Sequence, residues 1–459
     1  MKKYNVCALA SAGLLAGCFG ITGASAADLG GDCCADLEER VAELEATTAR
    51  KGNRKVSLTV SGFIAQQVMW WDDGNESNVY ITDTGSVSIG THFAFSGKAQ
   101  ITNDVSAGFL LKIEAMNNDS LGVSQDTDEG GNVLALVQGS DGPLALESAY
   151  WYLKSNSLGR LSVGQQSSAA DNQAILPDGS GTLVQANYVL YDMQGFITRT
   201  GGAYTNFNWG ALANCHPVGG AVAADCDGYP SNNVRYDTPT FFGFGASASW
   251  GEDDVWAVSG RYAGEFYGFK FASAVAYLQN TDETSPGATF GNGPATANGG
   301  LDASHLQAGA YGEHVPSGLF LYGAYGREYN SVTASTRGFG RLNPDGENWY
   351  VKAGIKRRWL SHGDTAIYGE YGNNDDKMTA GLFDAGVSSS ELEQYGVGVV
   401  QNIDAAAMQM WLAWRHYEGD ATCNSNLDGA TGCAGEGLQE GKNGLEAFDL
   451  IKFGALIAF

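Results

Sequence analysis

Cysteines are the residues of this sequence whose spacing most directly suggests chemistry. Eight are present, and two close pairs stand out, Cys215 with Cys226 and Cys423 with Cys433. Each pair brackets a short segment rich in small and polar residues, which favours loop-closing disulfides in an oxidising compartment. A zinc site is the competing interpretation. His216 beside Cys215 supports it only weakly, because the CxxC and HxxxH spacings of structural zinc are missing.

Catalytic chemistry has little support in the sequence. The nucleophile motif GxSxG, the zinc-protease motif HExxH and the phosphate-binding motif GxxxxGK[ST] do not occur. The six histidines are scattered, and pairs such as His305 with His314 are interpreted more simply as turn or lumen residues. We therefore predict no enzyme, no cofactor and no metal site.

Charged residues recur on one face of strand-like segments. From Val56 onward the hydrophobic period is two, in segments of roughly ten residues, as transmembrane β-strands require. Near residue 110, for example, aromatic and aliphatic side chains alternate with Lys112 and Glu114. One face of such a strand suits lipid and the other suits water. By this alternation we expect four basic side chains to face inward: Lys98, Lys112, Arg235 and Arg261.

Connections between these segments alternate between short and long. Short turns are expected at positions such as Asn103-Asp104 and Gly264-Glu265, whereas long polar connections cover 117–142, 281–301, 331–347, 373–390 and 419–444. This segregation is typical of an antiparallel membrane barrel. We therefore predict an all-β, up-and-down transmembrane barrel over residues 56–459. A soluble β-sandwich would share the 64 glycines and the 11% of aromatic residues, so composition alone does not separate the two.

The first 26 residues have the order of a secretory signal. Met1-Lys2-Lys3 precedes an apolar run and then the small residues Ala24-Ser25-Ala26. Leu15-Ala16-Gly17-Cys18 resembles a lipobox, so a lipid on Cys18 is the alternative. Either route takes the chain out of the cytoplasm. No second apolar run of 18 or more residues follows, which argues against a transmembrane helix.

Residues 27–55 have a different pattern from the rest of the chain. Leu37, Val41, Leu44 and Thr48 are spaced alternately by four and three, as in a short coiled coil. An amphipathic helix on the barrel rim would give the same spacing. Basic residues near position 50 follow and could lie against anionic head groups. We predict a periplasmic coiled-coil segment with a basic linker, and the role of Cys33 and Cys34 stays open.

The charge balance is strongly acidic. The chain has a net charge of −25, and removal of Lys2 and Lys3 with the signal leaves 24 basic against 51 acidic residues, or −27. Nucleic-acid binding is excluded because it needs a basic face. A negative potential along a water-filled path would concentrate cations, although loop acids can equally serve solubility. We expect a weak cation preference.

Three stretches carry a resemblance to the Gram-negative general porins, and within them to the alphaproteobacterial porins. The stretch from Ala149 to Gln165 (AYWYLKSNSLGRLSVGQ) resembles the strand-turn-strand motif before the constriction loop of that family. The stretch from Asn233 to Phe244 (NVRYDTPTFFGF) resembles the hairpin after it, and the final Phe459 matches the outer-membrane signature of barrel closure. The resemblance spans about 56–459.

The resemblance implies a homotrimer of barrels, each narrowed by an inward-folded loop that begins near residue 166. That loop would place Asp171 and Asp178 as the acidic wall of a constriction. The basic residues predicted above would lie opposite this acidic wall, and Glu114 and Glu147 would also line the pore. The acid at position 147 departs from the family pattern, which often has a basic residue there. Sixteen strands are expected, or eighteen if 187–191 and 196–199 also cross.

The predicted function is passive diffusion of small hydrophilic solutes and ions across the outer membrane. A substrate-specific channel for sugars or other small nutrients is the alternative, and a trimeric adhesin is disfavoured because the coil is brief. Expected partners are outer-membrane lipid and lipopolysaccharide, the barrel-assembly machinery and two further copies of the chain.

Overall fold

Strand β1 (Ser57–Asp72) shows how the sequence forms the membrane-facing wall. Val60, Ile64 and Val68 are 45, 57 and 43% exposed, whereas Ala65 and Gln67 between them are 0 and 3% exposed. The exposed face is aliphatic and the covered face includes polar residues, which is the alternation of a strand between lipid and a polar interior. The predicted period of two is therefore present in the first strand.

The computed structural model describes residues 56–85, 89–186, 192–215, 224–225, 230–251, 254–281, 303–330, 345–427, 430 and 432–459. Two short helices occur there, α1 (Val133–Val137) and α2 (Ala380–Ala385). The other strands are β2 (Ser77–Thr82), β3 (His92–Gln100), β4 (Val105–Ala115), β5 (Leu144–Ser155), β6 (Gly159–Gln166), β7 (Ile197–Thr200), β8 (Ala203–Asn208), β9 (Ser231–Asp237), β10 (Phe244–Gly251), β11 (Val255–Phe266), β12 (Phe269–Asn280), β13 (Ala303–His314), β14 (Leu319–Asn330), β15 (Glu347–Leu360), β16 (Gly363–Asp375), β17 (Val387–Ile403), β18 (Met408–Cys423), β19 (Gly441–Gly444) and β20 (Phe448–Ala458).

Sixteen of these strands form a closed antiparallel barrel. The ring runs β1, β3 to β6, β9 to β18 and β20, and β20 returns to β1 from Phe63 opposite Ala458 to Asp72 opposite Asp449. Closure matters because an unpaired strand edge in hydrocarbon costs several kcal/mol per polar group. Phe459 extends the seam by exchanging two backbone hydrogen bonds with Gly62, at 3.0 and 3.1 Å.

The expectation of sixteen strands is confirmed, and the eighteen-strand alternative is not adopted. Strand β7 covers most of 196–199 but pairs with β8 alone, outside the ring. Residues 187–191 lie outside the described part of the chain. Strands β2 and β19 are short additions that pair with the far ends of β1 and β18.

One predicted turn is misplaced by three residues. Strand β11 continues through Gly264 and Glu265 to Phe266, and the turn is formed by Tyr267 and Gly268. Both turn residues have positive φ, 52° and 81°, as two-residue hairpins of the I′ type require. Within the described residues, no helix is long and apolar enough to cross a membrane.

The barrel interior is filled unevenly. The segment that follows β6 packs inside the barrel. It is called the in-folded segment below and is described over 167–186 and 192–215. Its Phe196, Trp209 and Leu212 contact a cluster that includes Trp71 on β1 and Phe448 on β20. The inner faces of β13 to β18 are buried beneath it, whereas Lys98 on β3 and Lys154 on β5 remain exposed.

Candidate functional site

The in-folded segment is fastened first to strands β13 and β14. The Gln307 side chain accepts a hydrogen bond from the Ala174 amide at 2.8 Å and donates one to the Ala170 carbonyl at 3.0 Å. The Tyr322 hydroxyl donates to the Ala174 carbonyl at 2.6 Å. Gly309 permits this approach, because a Cβ at that position would lie 1.8 Å from the Ala174 oxygen.

A buried ion pair fixes the middle of the segment. Lys352 on β15 lies 2.6 Å from Asp178, and both side chains are 0% exposed. The same ammonium donates to the Thr182 hydroxyl at 2.8 Å. Removing one partner of such a pair costs far more than the pair itself contributes, because the other charge remains buried.

A second charged contact fixes the segment further along the same wall. The Asp192 carboxylate accepts hydrogen bonds from Lys452 on β20 and, at 2.9 Å, from Gln67 on β1. Arg415 on β18 lies 3.9 Å from the same carboxylate and 2.6 Å from Glu370. The segment is thus held at β13 to β15 and again at β18, β20 and β1, on one side of the lumen.

The opposite wall carries a group of arginines. Arg235 donates to Asp237 through Nε at 3.1 Å and Nη2 at 3.0 Å, and its Nη1 donates to the Ser168 carbonyl at 2.7 Å. Ser247 donates to Asp237 at 2.6 Å and accepts from Arg261 at 2.9 Å. These residues, with Arg160, which is directly opposite Asp237 in the register of β6 and β9, are called the arginine patch.

Comparison with known proteins identifies the fold family. A family model described as Gram-negative porin matches residues 9–409. The chain belongs to the Gram-negative porin family. The family and the barrel indicate an outer-membrane channel rather than an enzyme, and they place the porin in the outer membrane.

Solved structures agree with the porin fold. The anion-selective porin from Comamonas acidovorans is 14% identical, covers 88% of this chain and 100% of its own, and has a TM-score of 0.54. OprB of Pseudomonas putida is 11% identical, covers 92% and 97%, and has a TM-score of 0.50. At these identities the likeness concerns the fold. No curated protein matches the porin's sequence.

Glu147 faces the interior of the porin through a β-bulge. Trp151 is 49% exposed on the outer face, and strict alternation would place Glu147 on that face too. The register shifts where Lys112 and Ile113 pair with Ser148 and Leu146, so one extra residue is accommodated. The Glu147 carboxylate consequently lies 2.7 Å from the Lys112 ammonium.

The predicted acidic wall has a different environment from the one expected. Asp171 is 3% exposed and accepts a hydrogen bond from the Asn172 side chain at 2.7 Å, and Asp178 is the fully buried partner of Lys352. Neither carboxylate presents free charge to water. Both lie where the in-folded segment meets the barrel. Glu114 is also fully buried, and Lys98 is exposed near the short-turn end of β3.

The predicted disulfides can be compared in part. Cys423 and Cys433 form a disulfide with an S–S distance of 2.04 Å. Cys215 is also disulfide-bonded, while Cys226 lies outside the described residues, as do Cys33 and Cys34. The pairing of Cys215 with Cys226 stays a prediction. In the described part of the chain no group of three or more His, Cys, Asp or Glu is placed to hold a metal ion.

The basic residues that fasten the in-folded segment were missed from the sequence. Lys352 and Lys452 sit at inward positions by alternation, so the period of two would have marked both as inner-face residues. Their partners Asp178 and Asp192 are 174 and 260 residues away. No local pattern connects positions that far apart.

The ion pairs predict how the porin responds to acid. Burial alone would raise the pKa of Asp178, but Lys352 outweighs it and holds the pKa below its usual 3.8; Lys452 and Arg415 do the same for Asp192. A carboxylate with a lowered pKa contributes stability above its unfolded pKa and loses it as pH falls through the folded value. Single-channel conductance should therefore stay constant from pH 7 to about 4 and become unsteady only at lower pH.

A change in conductance between pH 7 and 5 would contradict this assignment. It would point instead to Asp83, in the connection after β2, where burial raises the pKa to about 6. An Asp83→Asn variant distinguishes the two, because it removes the titration near pH 6 and leaves both ion pairs of the segment intact.

Proposed function

We propose that this porin conducts small hydrophilic solutes and ions by passive diffusion. The observation that carries the proposal is the position of the in-folded segment along β13 to β20 and β1, which narrows the barrel and leaves part of the inner faces of β3 to β6 uncovered. On the inner faces of β3 and β5, Lys98 and Lys154 are exposed and Tyr150 and Tyr152 are partly exposed. Glu114 on β4 and Ser162 on β6 are buried. Exposed charges on an inner face need water beside them. The proposed pore lining includes the exposed Lys98 and the partly exposed Lys112 and Arg261. It also includes Glu147 and Arg235, which are buried in ion pairs with Lys112 and Asp237.

Ion preference depends on the charges along this path rather than on the whole chain. The ion pairs beneath the segment balance one to one: Lys352–Asp178, Lys356–Glu313, Lys377–Glu328, Arg415–Glu370 and Lys452–Asp192. The inner faces of β3 to β6 and β9 to β11 carry Lys98, Lys112, Lys154, Arg160, Arg235 and Arg261 against Glu114, Glu147, Asp237 and Glu265. The excess on the path is basic.

Four of the acidic residues that contribute to the net charge are turned away from the lumen. Glu347, Asp375, Glu391 and Asp420 are direct cross-strand neighbours on β15 to β18. They share the outer face with Trp349, Val351 and Val397, which are exposed. We therefore propose an anion preference in place of the cation preference that the −27 balance predicts.

A salt gradient across a planar bilayer tests both proposals. The purified porin should give stable conductance steps that small sugars leave unblocked, with a reversal potential of anion sign. Arg261→Gln should lower the anion-to-cation permeability ratio by about two- to fivefold at low salt, because a charge at about 4 Å in water is worth about 1 kcal/mol.

The matched control is Arg357→Gln. Arg357 is exposed at an outward position of β15, so the same loss of charge should leave the reversal potential unchanged. A cation-sign reversal potential in the wild type would overturn the ion preference but not the pore. Absence of any conductance from verified folded protein would overturn the pore itself.

We further propose the assembly that the family resemblance implies. Three copies would form a homotrimer among outer-membrane lipid and lipopolysaccharide, and Phe459 would be part of the signal read by the assembly machinery. The signal over 1–26 and the coiled-coil segment over 27–55 lie outside the described residues and stay predictions. Native mass spectrometry of the detergent-purified porin would show a threefold mass, and a single-chain mass would contradict the trimer.

A further inference from the structure

Acidic residues form a row across the outer face of the barrel at its long-loop end. Glu347 is the first residue of β15 and Asp375 is the last of β16, and the two lie directly opposite each other. Asp375 in turn lies opposite Glu391 on β17, and Glu391 lies opposite Asp420 on β18. Like charges in direct cross-strand pairs destabilise a sheet. A row of this kind therefore favours the binding of counter-charge.

The counter-charges that the chain supplies lie at the two ends of the row. Arg327 on β14 lies 4.0 Å from Glu347, and Lys442 on β19 lies 2.8 Å from Asp420. Lys442 also interacts electrostatically with Glu391, so one cation serves two carboxylates. The middle of the row is thus compensated least.

Asp375 has the most acidic surroundings in the row. Its strongest electrostatic interactions are with Glu347, Asp376, Glu391 and Glu393, which are all acids. Within the described residues, the Asp375 side chain forms no ion pair and accepts no side-chain hydrogen bond. A carboxylate among four others attracts cations from solution.

A buried amide lies beside this carboxylate. Asn373 precedes Asp375 by two residues on the same face of β16 and lies opposite Trp349 and Glu393. It is 6% exposed, and its Nδ2 atom donates a hydrogen bond to Glu391 at 3.0 Å. Its Oδ1 atom is buried and accepts no hydrogen bond from the described residues. A half-turn of the amide exchanges the two atoms and offers this oxygen to a cation beside Glu391.

Only oxygen atoms are offered at this position, which selects the class of cation. Carboxylate and amide oxygens suit the hard cations calcium and magnesium, whereas zinc and copper prefer the nitrogen of His and the sulfur of Cys. Calcium tolerates irregular geometry, but magnesium demands a near-ideal octahedron, which side chains from one face of a sheet cannot supply. Because no three Asp, Glu, His or Cys side chains converge in the described part of the chain, the amide oxygen is needed as the third protein ligand.

The aromatic girdle places these residues at the membrane surface. Trp349 and Tyr395 are 38 and 37% exposed on the outer face, and Tyr371 lies opposite Tyr395. Exposed Trp and Tyr side chains mark the boundary between hydrocarbon and water in membrane barrels. Asp375 and Glu391 lie beyond these rings, toward the long connections, and are partly exposed. A cation from the medium outside the cell can therefore reach them without entering the lumen.

We propose that Asp375, Glu391 and Asn373 bind calcium on the outer face and thereby join β16 to β17 at the long-loop end. The proposal is independent of the conduction proposed above, because the site lies outside the lumen. Water would complete the coordination. Such an open site should bind weakly, with a dissociation constant of about 10⁻⁴ to 10⁻³ M, the range of extracellular calcium modules.

Terbium(III) is the probe, because it takes the oxygen ligands of calcium and luminesces when a nearby excited tryptophan transfers energy to it. Trp349 lies directly opposite Asn373 and is the expected energy donor. The detergent-purified porin is freed of divalent cations with a chelator and titrated with terbium, then with calcium chloride. Luminescence should appear with terbium and be displaced by excess calcium, and Trp349→Phe should remove most of it.

Variants of the ligands separate this site from the general attraction of cations to an acidic protein. Asp375→Asn/Glu391→Gln should lower the calcium-displaceable luminescence by about tenfold, because ligand charge sets calcium affinity. Asn373→Leu keeps every charge and should lower it by about threefold through loss of one oxygen ligand. The matched control Glu265→Gln/Asp404→Asn removes two exposed acids at the short-turn end and should leave it unchanged. Heat-modifiable migration on gels verifies that each variant is folded.

Three results would overturn the site. The first is the absence of calcium-displaceable luminescence from the folded wild-type porin. The second is a signal that survives in Asp375→Asn/Glu391→Gln, since the cation would then lie elsewhere on the acidic surface. The third is a signal undiminished in Trp349→Phe, which would place the cation beside another tryptophan.

Discussion

Replacing Lys352 by methionine is expected to free the in-folded segment from the wall and turn steady current into larger, fluctuating steps. The variant leaves Asp178 in a site where its side chain is 0% exposed with no cation beside it. Breaking a buried pair in this way costs about 3–5 kcal/mol, which shifts the ratio of seated to unseated segment by roughly 100-fold or more. The barrel itself should stay closed, because its strands pair independently of the segment.

The double variant Lys352→Met/Asp178→Leu is the control for this prediction. Replacing both members of a buried ion pair by apolar residues of similar volume is often neutral, so the double variant should recover most of the steady current. Single-channel recording at constant pH and salt measures both. A single variant as steady as the wild type would show that the ion pair is not what holds the segment.

Gly309→Ala is expected to have a similar effect without any change of charge. Its Cβ would lie 1.8 Å from the Ala174 carbonyl oxygen, so either the segment or β13 must move. Overpacking of this kind costs about 1–3 kcal/mol, and the weaker of the two partners is the segment. We expect raised, noisy conductance and faster proteolysis within 167–186.

The matched control lies three residues further along the same strand. A Cβ at Gly312 would lie 3.6 Å from its nearest neighbour, in the ring of Phe271, which is an ordinary contact. Gly312→Ala should therefore behave as the wild type does. Equal behaviour of the two alanine variants would mean that the segment does not rest on β13.

Local patterns in the sequence account for the barrel but not for the seating of the segment. The period of two identified the inward positions of Lys98, Lys112, Arg235 and Arg261, because alternation is a property of each strand alone. The bulge that turns Glu147 toward Lys112 is a mismatch between two strands, so neither strand shows it by itself. The length of β11 was predicted wrongly for a related reason. The turn begins at Tyr267, which has a positive φ, and tyrosine is not a residue type that predicts such a turn.

Charge is where the sequence was least informative. The effect of an acidic residue on the electrostatic potential in the pore depends on whether its side chain faces the lumen and on which charged side chains are next to it. Asp178 meets Lys352, while Glu391 stands beside Asp375 and Asp420 on the outer face. A net charge adds these acids together as if their positions were equivalent. The proposed ion preference accordingly has the opposite sign from the one that the net charge predicts.

The distant partners of the in-folded segment impose an order on folding. Asp178 and Lys352 are 174 residues apart in the sequence, and Asp192 and Lys452 are 260 residues apart. Contacts of such sequence separation form slowly because long loops must close first. The segment cannot take its seat until strands made much later in synthesis are in position. A closed barrel in which these contacts had not yet formed would have its wall but not the narrowing that the segment provides.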